Sequence, residues 1–188
     1  MSAETYACTL GITRARFGQF LMPKEIRFKA PVQPISAEDC LELRHRVLRP
    51  NQPLSACRYP LDEAPGTLHL GYRGHLGYRE GDGPILGIAS VFHEAPPESS
   101  AGNAWRIRGM AVDPAHQGQG IGALLLKGLI DYATAQQTPD EPPGLLWCNG
   151  RTTVEPFYVA QGFSRVGEVF DLPPIGPHVV LERVLRQA

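Results

Sequence analysis

Two features of the sequence predict an α/β domain, a mixed central β-sheet flanked by helices. Short apolar segments of strand length recur along the chain, bounded by Gly or Pro turns. One long amphipathic helix stands among them, opened by a glycine-rich turn that directly follows a strand. With 188 residues the chain suits a single domain around one sizeable core.

Residues 1–25 have weak periodicity and read as an N-terminal extension to a domain at 26–188. An alternating strand at 26–28 opens that domain, ended by Pro31 and Pro34. Ser36 is placed as a helix N-cap, with Glu38 and Asp39 in the first turn. Leu41, Val47 and Leu48 supply the apolar positions of this helix, and Pro50 stops it. Residues 51–66 are Pro-rich and polar, a loop or a broken helix. Leu68, Leu70 and Tyr72 alternate with His69 and Gly71, which predicts a strand at 67–72. Gly81, Asp82, Gly83 and Pro84 predict a turn, and an apolar strand follows at 85–92. A third strand at 105–112 ends on Asp113 and Pro114.

The long helix places Ile121, Leu124, Leu125, Leu129 and Tyr132 on one face. A short buried strand is expected at 145–148. A short helix at 154–160 should close on Gly162 in the left-handed conformation, with Phe163 making the hydrophobic contact after it. Strands at 165–170 and 178–184 complete the domain.

Composition narrows the function classes. Hydrophobic residues are 43% and charged residues 20%, ordinary for a globular protein, and 18 Pro with 20 Gly indicate many turns. A formal net charge of −1 gives no basis for nucleic acid or an anionic membrane as partner. Cys8, Cys40, Cys57 and Cys148 form no CxxC pair, so free thiols are expected rather than disulfides. Cys148, in an apolar strand, reads as a small core residue. His45, His69, His75 and His116 lack metal-ligand spacing, so no metal is expected. No segment has signal-peptide or membrane-spanning character, which makes the cytoplasm the expected location.

The informative stretch is Gln117-Gly118-Gln119-Gly120-Ile121-Gly122, between a strand and the long helix. Glycines let the main chain approach a phosphate, and the unpaired N–H groups of the helix's first turn, with the helix dipole, favour an anion there. Gly118, Gly120 and Gly122 run G-x-G-x-G, not the G-x-G-x-x-G of a dinucleotide site, and Ala123 and Leu124 follow where a P-loop needs Lys-Ser/Thr. Three glycines cost a helix start about 1 kcal/mol each, and packing alone gives no reason for them.

At this point the chain resembles the GNAT superfamily of acetyl-CoA-dependent N-acetyltransferases. Gln117, Gly120 and Gly122 occupy the defining positions of its Q/R-x-x-G-x-G/A motif. Met110-Ala111-Val112-Asp113-Pro114 looks like the strand and turn that lead into that motif, and Phe157-Tyr158-Val159-Ala160-Gln161-Gly162-Phe163 is similar to the family's F/L-Y-x-x-x-G-F. The resemblance covers about residues 26–186.

It implies that an amine attacks the acetyl-CoA thioester directly in a ternary complex, with no metal. Main-chain groups of Met110, Ala111 and Val112 would hold the pantetheine arm, and one N–H there would polarise the thioester carbonyl. Gln117, Gly118, Gln119, Gly120, Ile121 and Gly122 would take the pyrophosphate. Tyr158 would protonate the leaving sulfur, since a phenol with a reference pKa of about 10 stays protonated at neutral pH. Many members carry Asn seven residues before that tyrosine. This chain has Arg151 there and Asn149 two residues earlier, so Asn149 becomes the cofactor contact.

In the family's topology the last strand lies antiparallel beside the 145–148 strand. That puts His178 near the thioester as the first candidate base, with His93 and Glu94 behind it and water relays as an alternative. Arg44, His45 and Arg46 read as a solvated helix face bordering the acceptor pocket, or as a handle for an anionic acceptor. A small-molecule amine is the expected acceptor, and the resemblance admits a homodimer. A non-catalytic acyl-CoA sensor and a protein N-terminal or lysine acetyltransferase stay open as other readings.

Overall fold

The computed structural model describes residues 28, 31–75, 80–97, 99, 102–138 and 142–186. The extension at 1–25, with Ile26 and Arg27 of the first expected strand, lies outside them. Seven strands form one mixed sheet: β1 (Val32–Pro34), β2 (Leu68–His75), β3 (Glu80–His93), β4 (Ala104–Val112), β5 (Leu145–Arg151), β6 (Ser164–Leu172) and β7 (Gly176–Val184). Their order is β1-β2-β3-β4-β5-β7-β6. All neighbours are antiparallel except β4 and β5. Helix α2 (Ile121–Ala135) and the short α3 (Glu155–Ala160) cover one face, and a short helical segment after β1 covers part of the other.

Several expectations shift by a few residues for identifiable reasons. The edge strand at Val32–Pro34 runs through the prolines expected to end a strand, because an edge strand tolerates proline when its N–H is not needed. The Gly81–Pro84 stretch is not a turn. It lies inside β3 as an irregularity, three residues longer than the stretch of β2 it opposes between Arg73↔Ile85 and His75↔Glu80. The first helix is broken into a 3-10 piece (Glu38–Cys40), α1 (Leu41–Leu43) and a π turn (Arg44–Leu48). Ser36 does start it: its hydroxyl accepts from the Asp39 N–H at 3.1 Å, and the Asp39 carboxylate accepts from the Ser36 N–H at 3.0 Å. On α2 the core stripe is Ile121, Leu125, Leu126, Leu129 and Ala133, whereas Leu124 is 47% exposed. Gly162 closes α3 at φ 80°, and the Phe163 N–H reaches the Tyr158 carbonyl at 3.1 Å.

The feature that positions the site is a bulge in β4. Ile88 opposes Ala111 and Ser90 opposes Arg108, so Gly109 and Met110 share the place opposite Ala89. A one-residue slip reverses which face each following side chain meets. Before the bulge Trp105 and Ile107 enter the α2-side core; after it Met110 and Val112 do, while Ala111 joins Cys40, Leu43 and Ile88 on the opposite side. Gly109 has φ 62°, and a Cβ there would lie 2.9 Å from Arg44 Nε and 3.0 Å from the Tyr59 ring.

Arg44 is fully buried against this bulge. Its guanidinium donates to both Asp62 carboxylate oxygens at 2.7 and 2.9 Å, to the Cys57 carbonyl at 3.0 Å and to Ser90 Oγ at 3.0 Å, and lies 4.2 Å above the Tyr59 ring. The Ser90 hydroxyl donates in turn to His69 Nδ1 at 2.7 Å, and His69 Nε2–H donates to the Asp62 carbonyl at 2.9 Å. That pattern is the Nε2–H tautomer of the neutral ring, the form that burial favours. Arg44 is therefore a strut tying the helical segment, the 54–62 loop, β2 and β3 together, not the solvated residue the sequence predicts.

Two outcomes test this. Gly109→Ala should lower unfolding free energy by about 2–4 kcal/mol, from left-handed strain plus overpacking. Gly102→Ala, where a Cβ meets nothing within 4 Å, should stay within about 0.5 kcal/mol. Equal urea midpoints for the two variants would remove the bulge from its structural role. The second outcome concerns pH. Burial, ahead of all other causes, lowers the His69 pKa from its ordinary value. The unfolded chain thus binds a proton that the fold resists, so this stability is present above about pH 6.5 and is lost as pH falls below it. Denaturant midpoints from pH 8 to 5 should fall less steeply in His69→Gln than in wild type, and parallel curves would exclude His69 as the cause.

Candidate active site

β4 and β5 pair only over Ala104↔Leu145, Trp105↔Leu146 and Arg106↔Trp147. β4 then continues to Val112 and β5 to Arg151 without each other, so the β5-facing edge of β4 carries main-chain groups with no ladder partner. The gap between the strands is a cleft of about 420 Å³, a size suited to a small ligand. Residues 106–112 and 148–151 form its two walls; α3, the β6–β7 hairpin and the end of the first helical segment complete it.

Most of the site residues expected from sequence meet here. Met110, Ala111, Val112, Gln117, Gly122, Asn149, Tyr158 and His178 all line the cleft. Gln117 Nε2 donates to the Val112 carbonyl at 3.2 Å, tying the glycine-rich turn to the end of β4. Asp113 shapes the same corner, accepting from the Ala115 N–H at 2.9 Å and from Arg46 at 2.7 Å. Gly118 and Gly120 have φ of 77° and 81°, and a Cβ at either would meet nothing within 4 Å. These glycines are required by backbone conformation, and the space beside them is open. Gly120 is the N-cap of α2 and no side chain caps the helix, so its first N–H groups face that space. Gln119 is exposed, and Ile121 sends its side chain into the core, leaving only its main chain for a ligand.

Tyr158 is buried between Phe157 and Phe163, with edge-on ring contacts at 5.2 and 5.3 Å. Its hydroxyl lies 3.5 Å from Met110 Sδ, at the fork of the two strands. Burial raises the Tyr158 pKa well above the ordinary tyrosine value, so the phenol holds its proton. Cys148 is beside it, its thiol pushed up to about 12 by burial; it is a core residue and no nucleophile. β7 runs antiparallel to β5 with His178 opposite Arg151. It starts at Gly176 rather than 178, because β6 on its other side pairs with Gly176 and Pro177. His178 is 4% exposed, and its Nδ1 lies 2.7 Å from the Gly176 carbonyl. A carbonyl only accepts, so Nδ1 carries a proton, and in the neutral ring Nε2 is then the nitrogen left to accept one.

The weaker base candidates fall outside the cleft lining. Glu94 accepts from Arg106 at 2.6 Å, and His93 stacks near Trp105, 4.9 Å between ring centroids. Conversely, sequence reading passed over Arg49, Tyr59, Arg106 and Arg108, which line the cleft with Arg151. A signal existed: Arg106 and Arg108 alternate with Trp105 and Ile107 along an apolar strand, which gives that strand one charged face. Among the described residues no three His, Cys, Asp or Glu side chains gather as a metal site, and no helix is long and apolar enough to cross a membrane.

Comparison with known proteins agrees with this geometry. Residues 39–163 match the acetyltransferase (GNAT) family. The chain belongs to that family. The uncharacterized N-acetyltransferase YitI of Bacillus subtilis is 37% identical over 155 residues, covering 82% of this chain and 96% of that protein. The N-alpha-acetyltransferase RimI of Mycobacterium tuberculosis is 28% identical over 136 residues, 70% of this chain and 74% of that protein. Among solved structures, an acyl-CoA N-acyltransferase from Pseudomonas aeruginosa shares the fold at TM-score 0.57 and 22% identity, covering 82% of this chain and 99% of its own. An aminoglycoside 6'-N-acetyltransferase complexed with coenzyme A shares it at TM-score 0.59 and 11% identity, covering 84% and 98%.

The protein is thus a GNAT acyltransferase acting on acyl-CoA. Its residues fit that co-substrate: an uncapped helix start beside open space for phosphate, and a free strand edge leading from it into the cleft. Gly120→Glu would put a carboxylate into that open space, at a cost of about 1–2 kcal/mol in left-handed strain. The folded variant should lose at least tenfold in CoA affinity by calorimetry. Unchanged affinity would move the phosphate site elsewhere.

Proposed function

We propose that the protein transfers an acetyl group from acetyl-CoA to the primary amine of a small molecule, by direct attack within a ternary complex. The observation that carries this reading is the meeting of a protonated phenol (Tyr158) and an imidazole held through Nδ1–H by a carbonyl (His178) in the cleft that opens where β4 leaves β5.

The acyl thioester supplies the acyl group and a leaving thiolate. Around it, the free edge of β4 at Met110, Ala111 and Val112 orients the pantetheine arm through main-chain hydrogen bonds, and an N–H of that edge polarises the carbonyl. The turn from Gln117 to Gly122 holds the pyrophosphate, and Asn149 closes on the arm from β5. His178 Nε2 receives the proton that the amine must lose. The Tyr158 hydroxyl gives a proton to the departing sulfur and is restored from solvent. Small acceptors suit the cleft's volume of about 420 Å³, which the cofactor's reactive end also enters.

Tyr158→Phe removes only the donor oxygen. Turnover should fall about 10²- to 10⁴-fold while CoA affinity by calorimetry stays within about twofold. In the same assay, His178→Gln should move the acid limb of the pH–rate profile, because the base is active only when unprotonated. If Tyr158→Phe turns over like wild type, the phenol is a packing residue and the assignment fails.

A further inference from the structure

The side of the cleft away from α2 and α3 is cationic. Four arginines line it (Arg49, Arg106, Arg108 and Arg151), and no Asp or Glu does among the described residues. Their partners differ. Arg106 is neutralised by Glu94 at 2.6 Å and lies 4.5 Å above the Trp147 ring. Arg151 donates to the Leu48 carbonyl at 3.0 Å, bridging β5 to the first helical segment. Arg49 donates to the Gln52 amide oxygen at 3.0 Å, and Arg108 lies 4.5 Å over the Tyr59 ring, with Arg49 5.8 Å from the same ring. Neither Arg49 nor Arg108 is ion-paired to a carboxylate among the described residues. The third guanidinium at Tyr59, Arg44, takes both Asp62 carboxylate oxygens and leaves that anion unavailable to the other two.

Resting on the transferase reading above, we propose that the acceptor is a small amine bearing a carboxylate or a phosphate, which Arg49 and Arg108 grip beside Tyr59. Two half-buried guanidiniums without a counter-ion are costly, and a bound anion removes that cost. The guanidinium fork matches the paired oxygens of either group. Burial, and after it the Arg106 charge, works against the charged form of Arg108, consistent with a side chain arranged to be neutralised by what enters.

These arginines serve the acceptor and not the cofactor's phosphates, on two grounds. Arg108 precedes the bulge and faces the first helical segment, whereas the phosphate turn follows the end of β4. Met110, just past the bulge, turns to the other face with Tyr158. Anion recognition and sulfur protonation are thus on opposite sides of the strand edge that carries the thioester. The amine would enter between them, its acid group anchored away from the leaving thiolate.

The test follows CoA release by wild-type enzyme for matched acceptors: amino acids against their amides, O-phosphoethanolamine against ethanolamine, and spermidine as a polycation. The acidic member of at least one pair should have the higher kcat/KM by tenfold or more, with spermidine inert. Whichever pair responds distinguishes carboxylate from phosphate. In Arg108→Gln and in the less packed Arg49→Gln, KM for that acidic acceptor should rise roughly 10- to 100-fold, with CoA affinity within twofold. The preference over its neutral partner should collapse, and Arg108→Lys should restore part of it. Equal or better use of the neutral or polycationic amines by wild type overturns the proposal, as does a parallel loss of CoA affinity in the arginine variants. Binding of acetyl-CoA without acetylation of any amine would instead sink the small-molecule reading on which the proposal rests.

Discussion

The contact between Arg44 and the Gly109 bulge is the constraint on which the site depends. β4 must do two incompatible things: pair with β3 along its whole length, and leave β5 after three residue pairs. An extra residue in β4 reconciles them, because a bulge increases local twist and bend while the ladder to β3 resumes beyond it. The extra residue needs a left-handed conformation and room on the helical-segment side, which only glycine supplies against the Arg44 guanidinium. Arg44 in turn can be buried only because Asp62, Ser90 and the Cys57 carbonyl match the donors of its two terminal nitrogens. Removing one of those partners would strand a buried charge, which costs far more than the pair contributes.

The same bulge divides the chemistry of β4 between two faces. A regular strand would send alternate residues to the same side throughout, putting Arg106, Arg108 and Met110 together. With the slip, the arginines stay on the face of the first helical segment while Met110 crosses to meet Tyr158. The cationic wall and the phenol are therefore separated by the strand edge itself. A low-dielectric pocket holding both on one side would let the arginines favour the phenolate and weaken Tyr158 as a donor.

Much of this was legible in the sequence, and the exceptions share a cause. Strand and helix periods, the Gln117–Gly122 turn and the Phe157–Phe163 motif are local signals, and the structure places Tyr158, Asn149 and His178 in one cleft with Gln117, Gly122 and Phe157. Gly109 gave no such signal, since a single glycine in an apolar strand reads the same whether it bulges or not. Arg44 looks solvated in sequence because a charged residue beside His45 and Arg46 on a short helix usually is; its partners at 57, 62 and 90 are brought near only by the fold. Leu124 and Leu126 exchanged roles for a related reason. The apolar run from 123 to 126 offers two stripes at helical spacing, and the angle at which α2 crosses the sheet decides between them. What local pattern cannot supply is the choice among tertiary partners.

That distinction bears on how acceptor specificity can vary in this fold. In the reading proposed above, the cofactor side of the cleft is built from main-chain groups: the free edge of β4 and the uncapped start of α2. Such groups are indifferent to side-chain identity so long as the bulge and the turn keep their backbone conformations. The proposed acceptor side is built from side chains at 49, 106 and 108 around Tyr59, and of these only the Tyr59 ring also crowds the Gly109 bulge. On that reading, substitutions at 49, 106 and 108 change charge and size while leaving the main chain of the cofactor side in place. The Arg44–Gly109 contact lies beneath both sides, which makes it the position where a change of substrate would be hardest to separate from a loss of fold.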